Sequence, residues 1–277
     1  MLSITLITGG SHGIGLALAR ECLRRGHTVA IAALPDRHLD AALQELTAQA
    51  EPARVIPLPI DFSEPDSVEE IRAELVRRKL RVRYLINNVG FGRGGLFEHT
   101  PLAEYQAMLR LNNGVLVDMC YAFLDDLKAE RGGMLNLSSM EATMPLPYKT
   151  VYTGTKAFVY AFSLALAEEL RPGGVSVTVL CPGPVLTNED GLKRVKAQGG
   201  RAKLLLFMPD DIAPGAIKGM IDRRAVIIPG ALPLFLVRLA SVVPRRYRMR
   251  ILEKLFRKYR DEPARGEKDA VEPRTLV

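Results

Sequence analysis

Ser139, Tyr152 and Lys156 are the residues of this chain whose types and spacing can do chemistry. The serine stands in SSM, and the tyrosine and lysine follow as YTGTK. A tyrosine and a lysine four apart share one face of a helix. An ammonium beside a phenol favours the phenolate, because an opposite charge lowers the pKa of the acid it touches. Such a phenol can exchange a proton with a carbonyl or alcohol oxygen near neutral pH. A serine hydroxyl can hold that same oxygen as a donor. Together they can interconvert a carbonyl and an alcohol when a dinucleotide carries the hydride.

A Tyr-x-x-x-Lys pair by itself is a weak signal, since any helix with one aromatic and one solvated lysine would show it. The surrounding order strengthens it. A glycine turn, TGGSHGIG, occupies residues 8–15; Asp61, NNVG at 87–90, Asn112, the serine, the Tyr/Lys pair and CPGPVLT at 181–187 follow. A nucleotide-binding α/β enzyme needs these features in this order.

Strand-like runs alternate with helical periodicity. SITLIT, HTVAIAA, ARVIPLPID, VRYLINNVG, GGMLNLSS, VSVTVLCPG and RAVIIPG read as seven strands. Helices are expected after the glycine turn, over 35–50 with Leu39, Leu43 and Leu46 on one face, and over 63–79 with acids early and bases late. A long helical region is expected over 101–128, the Tyr/Lys helix over 153–171 and a short helix over 208–222. This alternation predicts an α/β, Rossmann-type doubly wound parallel sheet of about seven strands, with a helical C-terminal extension. Residues 1–230 read as one dinucleotide-binding catalytic domain, 231–262 as a basic helical extension of it, and 263–277 as a disordered tail. The 153–171 segment is apolar around most of its circumference, which suggests packing on the sheet and on a second subunit, in a homodimer or homotetramer.

The chain has 277 residues, is 48% hydrophobic and carries a net charge of +7. No apolar stretch is long enough to span a bilayer, and no secretory signal is read at the N-terminus. A cytoplasmic location is therefore expected. Cys22, Cys120 and Cys181 lie in apolar contexts and read as buried thiols. The four histidines show no ligand spacing, so no metal is expected. The charge gives no motif for nucleic acid. It crowds into 245–260, where Ile251, Leu252, Leu255, Phe256 and Tyr259 recur at helical spacing. That segment either lies at a membrane surface or packs on its own domain or a second subunit.

In the glycine turn, Gly9 permits a tight bend, Gly13 and Gly15 let backbone approach a phosphate, and the helix N-terminus offers free N–H groups to it. With this turn, NNVG, the Ser/Tyr/Lys set and PGPVLT, residues 3–230 resemble the short-chain dehydrogenase/reductase family. The stretch from GGMLNLSS to AFVYAFS most resembles its 17β-hydroxysteroid and very-long-chain 3-oxoacyl reductase branch. The resemblance implies that Asp61 holds the adenine amino group and that Asn87 and its neighbours support the central strand and adenosine pocket. It implies that Asn112 positions a water in a proton relay to Lys156, and that Lys156 also grips the nicotinamide ribose. Val185 would line the nicotinamide and Thr187 would anchor its carboxamide. The remaining cofactor contacts implied are Thr8, Ser11, Ile14, Asn88, Gly90, Pro182 and Gly183.

The second strand ends without the acid that would favour NAD(H). The usual NADP arginine is also absent, with Leu34 in its place, but His12 and Arg37 are placed to meet a phosphate. NADP(H) is the expectation, with NAD(H) the alternative. Met140, Glu141, Met144, Pro145, Leu146, Pro147 and Tyr148 are expected to line the substrate cleft, with Glu141 turned to solvent. Residues 188–207, with five bases, read as a substrate lid that is either a solvated loop or a site for an acyl-carrier phosphate. The reaction expected is reduction of a hydrophobic ketone of 3-oxoacyl, steroid or polyketide type. The alternatives are an alcohol dehydrogenase working in the oxidising direction, or a non-catalytic dinucleotide sensor.

Overall fold

The structure is a computed structural model that describes residues 1–185 and 206–260. Thr187 and the body of the 188–207 stretch lie outside the described residues. The strands are β1 (Leu2–Thr8), β2 (Val29–Ala33), β3 (Val55–Pro59), β4 (Leu80–Asn87), β5 (Gly133–Leu137), β6 (Ser176–Leu180) and β7 (Val226–Ile227). They form one sheet in the order β3-β2-β1-β4-β5-β6-β7, and every pair is parallel. Parallel strands need crossover helices on both faces, so both faces of each central strand are buried. Successive side chains point to opposite faces. Leu6 and Leu85 accordingly enter one core cluster, and Ile7 and Ile86 the other.

The helices are α1 (Gly13–Arg24), α2 (Arg37–Gln49), α3 (Ser67–Arg77), α4 (Leu102–Leu109), α5 (Val115–Ala122), α6 (Leu124–Ala129), α7 (Thr150–Leu170), α8 (Pro209–Ile221), α9 (Ala231–Val242) and α10 (Arg245–Phe256). Ala17, Leu18, Ile212 and Ala216 of α1 and α8 fill one core; Ile71, Val115, Met119 and Val159 of α3, α5 and α7 fill the other. Each fully buried aliphatic side chain contributes about 1.5–3 kcal/mol relative to exposure.

Three boundaries depart from the expected ones. The single long helix over 101–128 is divided, because a π turn at Arg110–Gly114 separates α4 from α5, and Phe123 breaks the helical geometry before α6. The Tyr/Lys helix starts at Thr150 rather than at residue 153. The seventh strand is only two residues long, held by pairing to Val179 and Leu180.

The chain passes from β1 to β2 and β3 on one side, then returns beside β1 as β4. The sheet order reverses there, and loops at the carboxyl ends of β1 and β4 diverge to leave a crevice. Beyond β6 the chain reaches Val185, and Phe207 comes back to it through an isolated parallel bridge. Phe207 N donates to the Pro184 carbonyl at 3.1 Å.

A buried polar chain ties β4, β5 and α7 together. Asn87 Nδ2 donates to Asn136 Oδ1 at 2.8 Å, Asn136 Nδ2 donates to Ser163 Oγ at 3.0 Å, and Ser163 Oγ donates to the Val159 carbonyl at 2.6 Å. Removing the middle member leaves buried groups without partners, a loss of about 1–3 kcal/mol. Asn136→Ala should therefore lower the thermal midpoint by about 3–10 °C, read by calorimetry against the unmodified protein. An unchanged midpoint would refute this account of the network.

Candidate active site

The end of β5 places the serines. Ser138 N donates to the Leu180 carbonyl at 2.8 Å and Met140 N to the Pro182 carbonyl at 2.9 Å, which joins the β5 and β6 ends. Ser138 Oγ donates to the Lys156 carbonyl at 2.7 Å, which fixes α7 against them. Ser139 Oγ accepts from Glu141 N at 3.1 Å.

Tyr152 and Lys156 sit one turn apart in α7, so the sequence spacing does bring them to one face. Lys156 Nζ donates to the Leu137 carbonyl at 3.0 Å and lies 5.9 Å from the Tyr152 ring centroid. Burial holds the phenol above its ordinary value, and the Glu141 carboxylate pushes it further up; the neighbouring Ser139 side chain opposes both. Burial pulls the Lys156 ammonium down to about 8. The expectation that Lys156 lowers the tyrosine is not met in this geometry. Its ammonium donates to the Leu137 carbonyl, and no pull from it on the phenol offsets the burial. At neutral pH the phenol is therefore protonated, an acid facing the crevice.

Asn112 lies in the π turn and is buried. Its Oδ1 accepts from Phe91 N at 2.9 Å, and its Nδ2 donates to the Phe91 carbonyl at 3.0 Å and to Thr155 Oγ1 at 2.9 Å. Thr155 Oγ1 donates in turn to the Tyr152 carbonyl at 2.7 Å. The side chain is thus committed to protein groups. Gly90 is explained by the same contact, since a Cβ there would collide with Asn112 Oδ1. Gly92 was not legible in the sequence. A Cβ there would stand 2.9 Å from Tyr152 Cε2, so the glycine makes room for the ring; its place two residues past NNVG was the available signal.

The glycine turn has the geometry of a phosphate cradle. Gly9 and Gly13 have φ of +65° and +56°, a region where side chains are strained. A Cβ on Gly15 would collide with the Gly9 carbonyl. Asn88 Nδ2 donates to the Thr8 and Gly9 carbonyls at 3.1 and 2.9 Å, and Thr8 Oγ1 accepts from Asn88 N and Val89 N at 3.0 and 3.1 Å. The first turn of α1 has no acidic residue and no side-chain cap, so its N–H groups face the crevice as an anion site. Ile14 is buried in the core, which leaves only its main chain to such a ligand.

Gly9, Ser11, His12, Ala33, Leu34, Asp36, Phe62 and Val89 line a small cleft next to this turn. His12 Nδ1 bonds Ser11 Oγ at 3.1 Å, and its Nε2 is buried with no partner among the described residues. Burial holds its pKa below the ordinary value, helped by His38, whose ring lies 5.4 Å away. Asp36 turns its Oδ1 to cap α2, accepting from His38 N and Leu39 N at 2.9 and 3.1 Å. Arg37 is exposed and is not among the cleft's lining residues. Asp61, just past β3, accepts from Ser63 N and Ser63 Oγ at 2.8 and 2.7 Å through one oxygen. Pro182, Gly183 and Val185 continue from β6 along the crevice rim. The orphaned histidine nitrogen, the free helix terminus and the glycine cradle fit a phosphorylated dinucleotide.

The substrate loop differs from expectation. Met144, Pro145, Leu146 and Pro147 line a cavity of about 370 Å³ with Thr150, Thr153, Gly154 and Ala157 of α7 and Met249 of α10. Neither Ser139 nor Tyr152 is part of that lining. Glu141 does not turn to solvent. Its Oε1 pairs with Lys149 Nζ at 2.9 Å, and the two side chains are 18% and 19% exposed. Lys149 Nζ lies 5.7 Å from the Tyr152 ring centroid and 4.9 Å from that of Tyr259. Tyr148, with φ of +65°, donates to Glu253 Oε1 of α10 at 2.9 Å. The basic C-terminal helix is thereby joined to the loop before the Tyr/Lys helix. The three cysteines are free and buried, with thiols pushed up to about 12. No cluster fit for a metal occurs among the described residues.

A sequence model of the short chain dehydrogenase family matches residues 3–197. "Probable oxidoreductase EphD" of Mycobacterium tuberculosis is 28% identical over 251 residues, which cover 84% of this chain and 42% of EphD. The chain thus spans less than half the length of that relative. The NADP-dependent 3-hydroxy acid dehydrogenase YdfG of Salmonella typhi is 31% identical over 201 residues, 72% of this chain and 79% of YdfG. The alcohol dehydrogenase of the archaeon Thermococcus sibiricus, complexed with 5-hydroxy-NADP, superposes with a TM-score of 0.70 at 28% identity, covering 82% of this chain and 96% of that one.

The buried lysine makes stability depend on pH. Its folded pKa of about 8 lies below the ordinary lysine value of 10.5, so below pH 8 the fold carries the full penalty of a buried charge. That penalty is relieved as pH rises from about 8 to 10.5. The thermal midpoint of Lys156→Met minus that of the unmodified protein should therefore fall as pH is raised from 7 to 10. A difference independent of pH would mean that Lys156 is not desolvated.

Proposed function

Since this chain belongs to the short-chain dehydrogenase family, we propose that it is an NADP(H)-dependent reductase of ketones on hydrophobic substrates. The observation that carries this reading is the placement of Tyr152 and the buried Lys156 one turn apart in α7, which Ser138 Oγ ties to the end of β5 where Ser139 stands. A protonated phenol placed there can give its proton to a carbonyl oxygen. In this reading Ser139 donates to the same oxygen and orients it. Lys156 stands behind the tyrosine, where it would hold the nicotinamide ribose and restore the proton. Asn112 keeps Tyr152 in place through Thr155 and offers its main-chain carbonyl to a relay water. When bound, the dinucleotide supplies the hydride.

The glycine cradle and the α1 N-terminus would hold the pyrophosphate, with Asp61 at the adenine. His12, with its unpartnered Nε2, would meet a 2′-phosphate. YdfG is an NADP-dependent relative and the Thermococcus enzyme was solved with an NADP derivative, which supports the same cofactor here. Thr187, outside the described residues, keeps its proposed place at the carboxamide. The apolar loop of Met140, Met144, Pro145, Leu146 and Pro147 suits a hydrophobic ketone.

A homo-oligomer is supported by one surface. Phe158 of α7 and Val117 and Tyr121 of α5 are 44%, 37% and 83% exposed, which a second copy of the chain would cover.

The C-terminal helices support a peripheral site of action at an anionic membrane. Tyr247, Ile251 and Leu255 recur every fourth residue of α10 and are 54%, 59% and 63% exposed. The helix has no acid in its first turn and begins with two arginines, against the preference of its own dipole. Such charges are better accounted for by an external anionic surface. No helix among the described residues is long and apolar enough to cross a membrane.

Three measurements test these statements. Tyr152→Phe should lower ketone turnover by about 10²–10⁴-fold while NADPH affinity, read by calorimetry, stays the same. Loss of affinity with turnover intact would overturn the assignment. The unmodified protein should bind NADPH over NADH by about tenfold or more, or about 1.4 kcal/mol, and His12→Ala should narrow that ratio; a preference for NADH would refute the cofactor reading. The full chain should co-sediment with vesicles containing anionic lipid and not with neutral ones, and replacing Tyr247, Ile251 and Leu255 by serine should release it. Equal sedimentation by both proteins would remove the membrane from the account.

A further inference from the structure

The cavity of about 370 Å³ between the 144–147 loop, α7 and α10 has no task in ketone reduction. Gly154 and Ala157 supply its α7 wall. Gly154 stands about 200° around the helix from Tyr152, so an occupant lies on the far side of α7 from the reacting phenol. No charged side chain lines the cavity. Two of its threonine hydroxyls are committed to main-chain carbonyls: Thr143 Oγ1 donates to that of Met140 at 2.9 Å, and Thr153 Oγ1 to that of Lys149 at 3.0 Å. The walls therefore offer mostly methyl, methylene and thioether groups. The volume falls at the lower end of the ~300–1,000 Å³ of small-molecule sites. At the ~30 Å³ that one water takes in the liquid, it would hold about a dozen units of that size. That is room for one alkyl chain and not for two.

Gly154 marks the space as open. A Cβ built on it meets nothing within 4 Å among the described residues, and its φ is not in the left-handed region. Neither a close contact nor the backbone requires glycine there, and glycine inside a helix is less stable than alanine. What the missing side chain leaves is room in the cavity. Met249 of α10 lines the opposite side. Arg245 and Arg246 stand four and three residues before it, on the same face of the helix, and both are exposed. The acid one turn further on, Glu253, is already held by Tyr148 and Arg257.

We propose that this cavity binds a single-chain anionic amphiphile, a long-chain fatty carboxylate, with its chain between Gly154 and Met249 and its carboxylate toward Arg245 and Arg246. An apolar slot accepts the chain, and two cations one helical turn away accept the head. The site differs from the outer face of α10 formed by Tyr247, Ile251 and Leu255, and it does not depend on the ketone-reductase reading.

Calorimetry with octanoate, decanoate and dodecanoate, on the full chain with NADPH in excess, tests it. One dodecanoate should bind per chain, and affinity should rise about tenfold for each two carbons added. Gly154→Leu, which fills the slot, should weaken dodecanoate about tenfold or more while NADPH affinity and the thermal midpoint are kept. Ala157→Leu serves if that variant does not fold, and should act in the same sense. Arg245→Gln with Arg246→Gln should weaken dodecanoate and leave dodecanol unchanged. Absence of dodecanoate binding to the unmodified protein, or binding that no slot-filling variant weakens, overturns the proposal. Dodecanol bound as tightly as dodecanoate overturns the anionic assignment. If dodecanoate does not bind and Gly154→Leu changes the oligomeric state in light scattering, a second copy of the chain occupies the slot and the proposal falls. Failure to reduce any ketone alters none of these outcomes.

Discussion

The amide of Asn112 is the joint on which the reactive end of this protein depends. It bonds both the N–H and the carbonyl of Phe91 and, on its other side, Thr155. One side chain thereby fixes the loop after β4 to the second turn of α7. The geometry leaves little freedom around it. Gly90 cannot carry a Cβ, and Gly92 must yield space to the Tyr152 ring. The π turn places one extra residue in the helix between α4 and α5, a device that re-aims side chains. Without that turn the spacing of Asn112 and Asn113, both of which bond Thr155, would not be available.

Much of the framework follows from local rules. β1, β2 and β5 are short apolar runs because both faces are covered, and the alternation with amphipathic helices leaves a parallel sheet as the consistent solution. The glycine turn was legible because each of its glycines answers a steric demand that spacing alone expresses. Tyr152 and Lys156 were legible because four residues make one helical turn. What escaped sequence reading was set by long-range placement. The acidity of Tyr152 depends on burial and on Glu141, and Glu141 is turned inward by Lys149 under a ring more than a hundred residues away. No local pattern contains that information. The seventh strand shrank to two residues because only Val226 and Ile227 find partners on β6, a matter of sheet edge rather than propensity. The ring of His38 meets that of His12, a contact between the glycine turn and α2 that spacing did not announce.

The site also shows how burial divides labour between two ionisable groups on one helix. The same desolvation that keeps the tyrosine protonated weakens the hold of the lysine on its proton. Both shifts favour the neutral form, yet at neutral pH the lysine, at about 8, still carries its charge while the tyrosine is neutral. An anionic cofactor entering that crevice would stabilise the charge of the lysine, and the electrostatics of the tyrosine would change with it. The reactive state is therefore a property of the loaded site rather than of the two side chains alone.

The parallel bridge between Val185 and Phe207 has an evolutionary consequence. It closes the chain on itself at the rim of the sheet, so the residues between these two points begin and end at a fixed doorway. Insertions, deletions or wholesale replacement inside that interval need not disturb the strand ends that hold Ser139, Tyr152 and Lys156. A lineage can thus vary the length of the chain between them while the reacting groups stay in register. The same doorway offers a place to graft a foreign segment when a new preference is wanted.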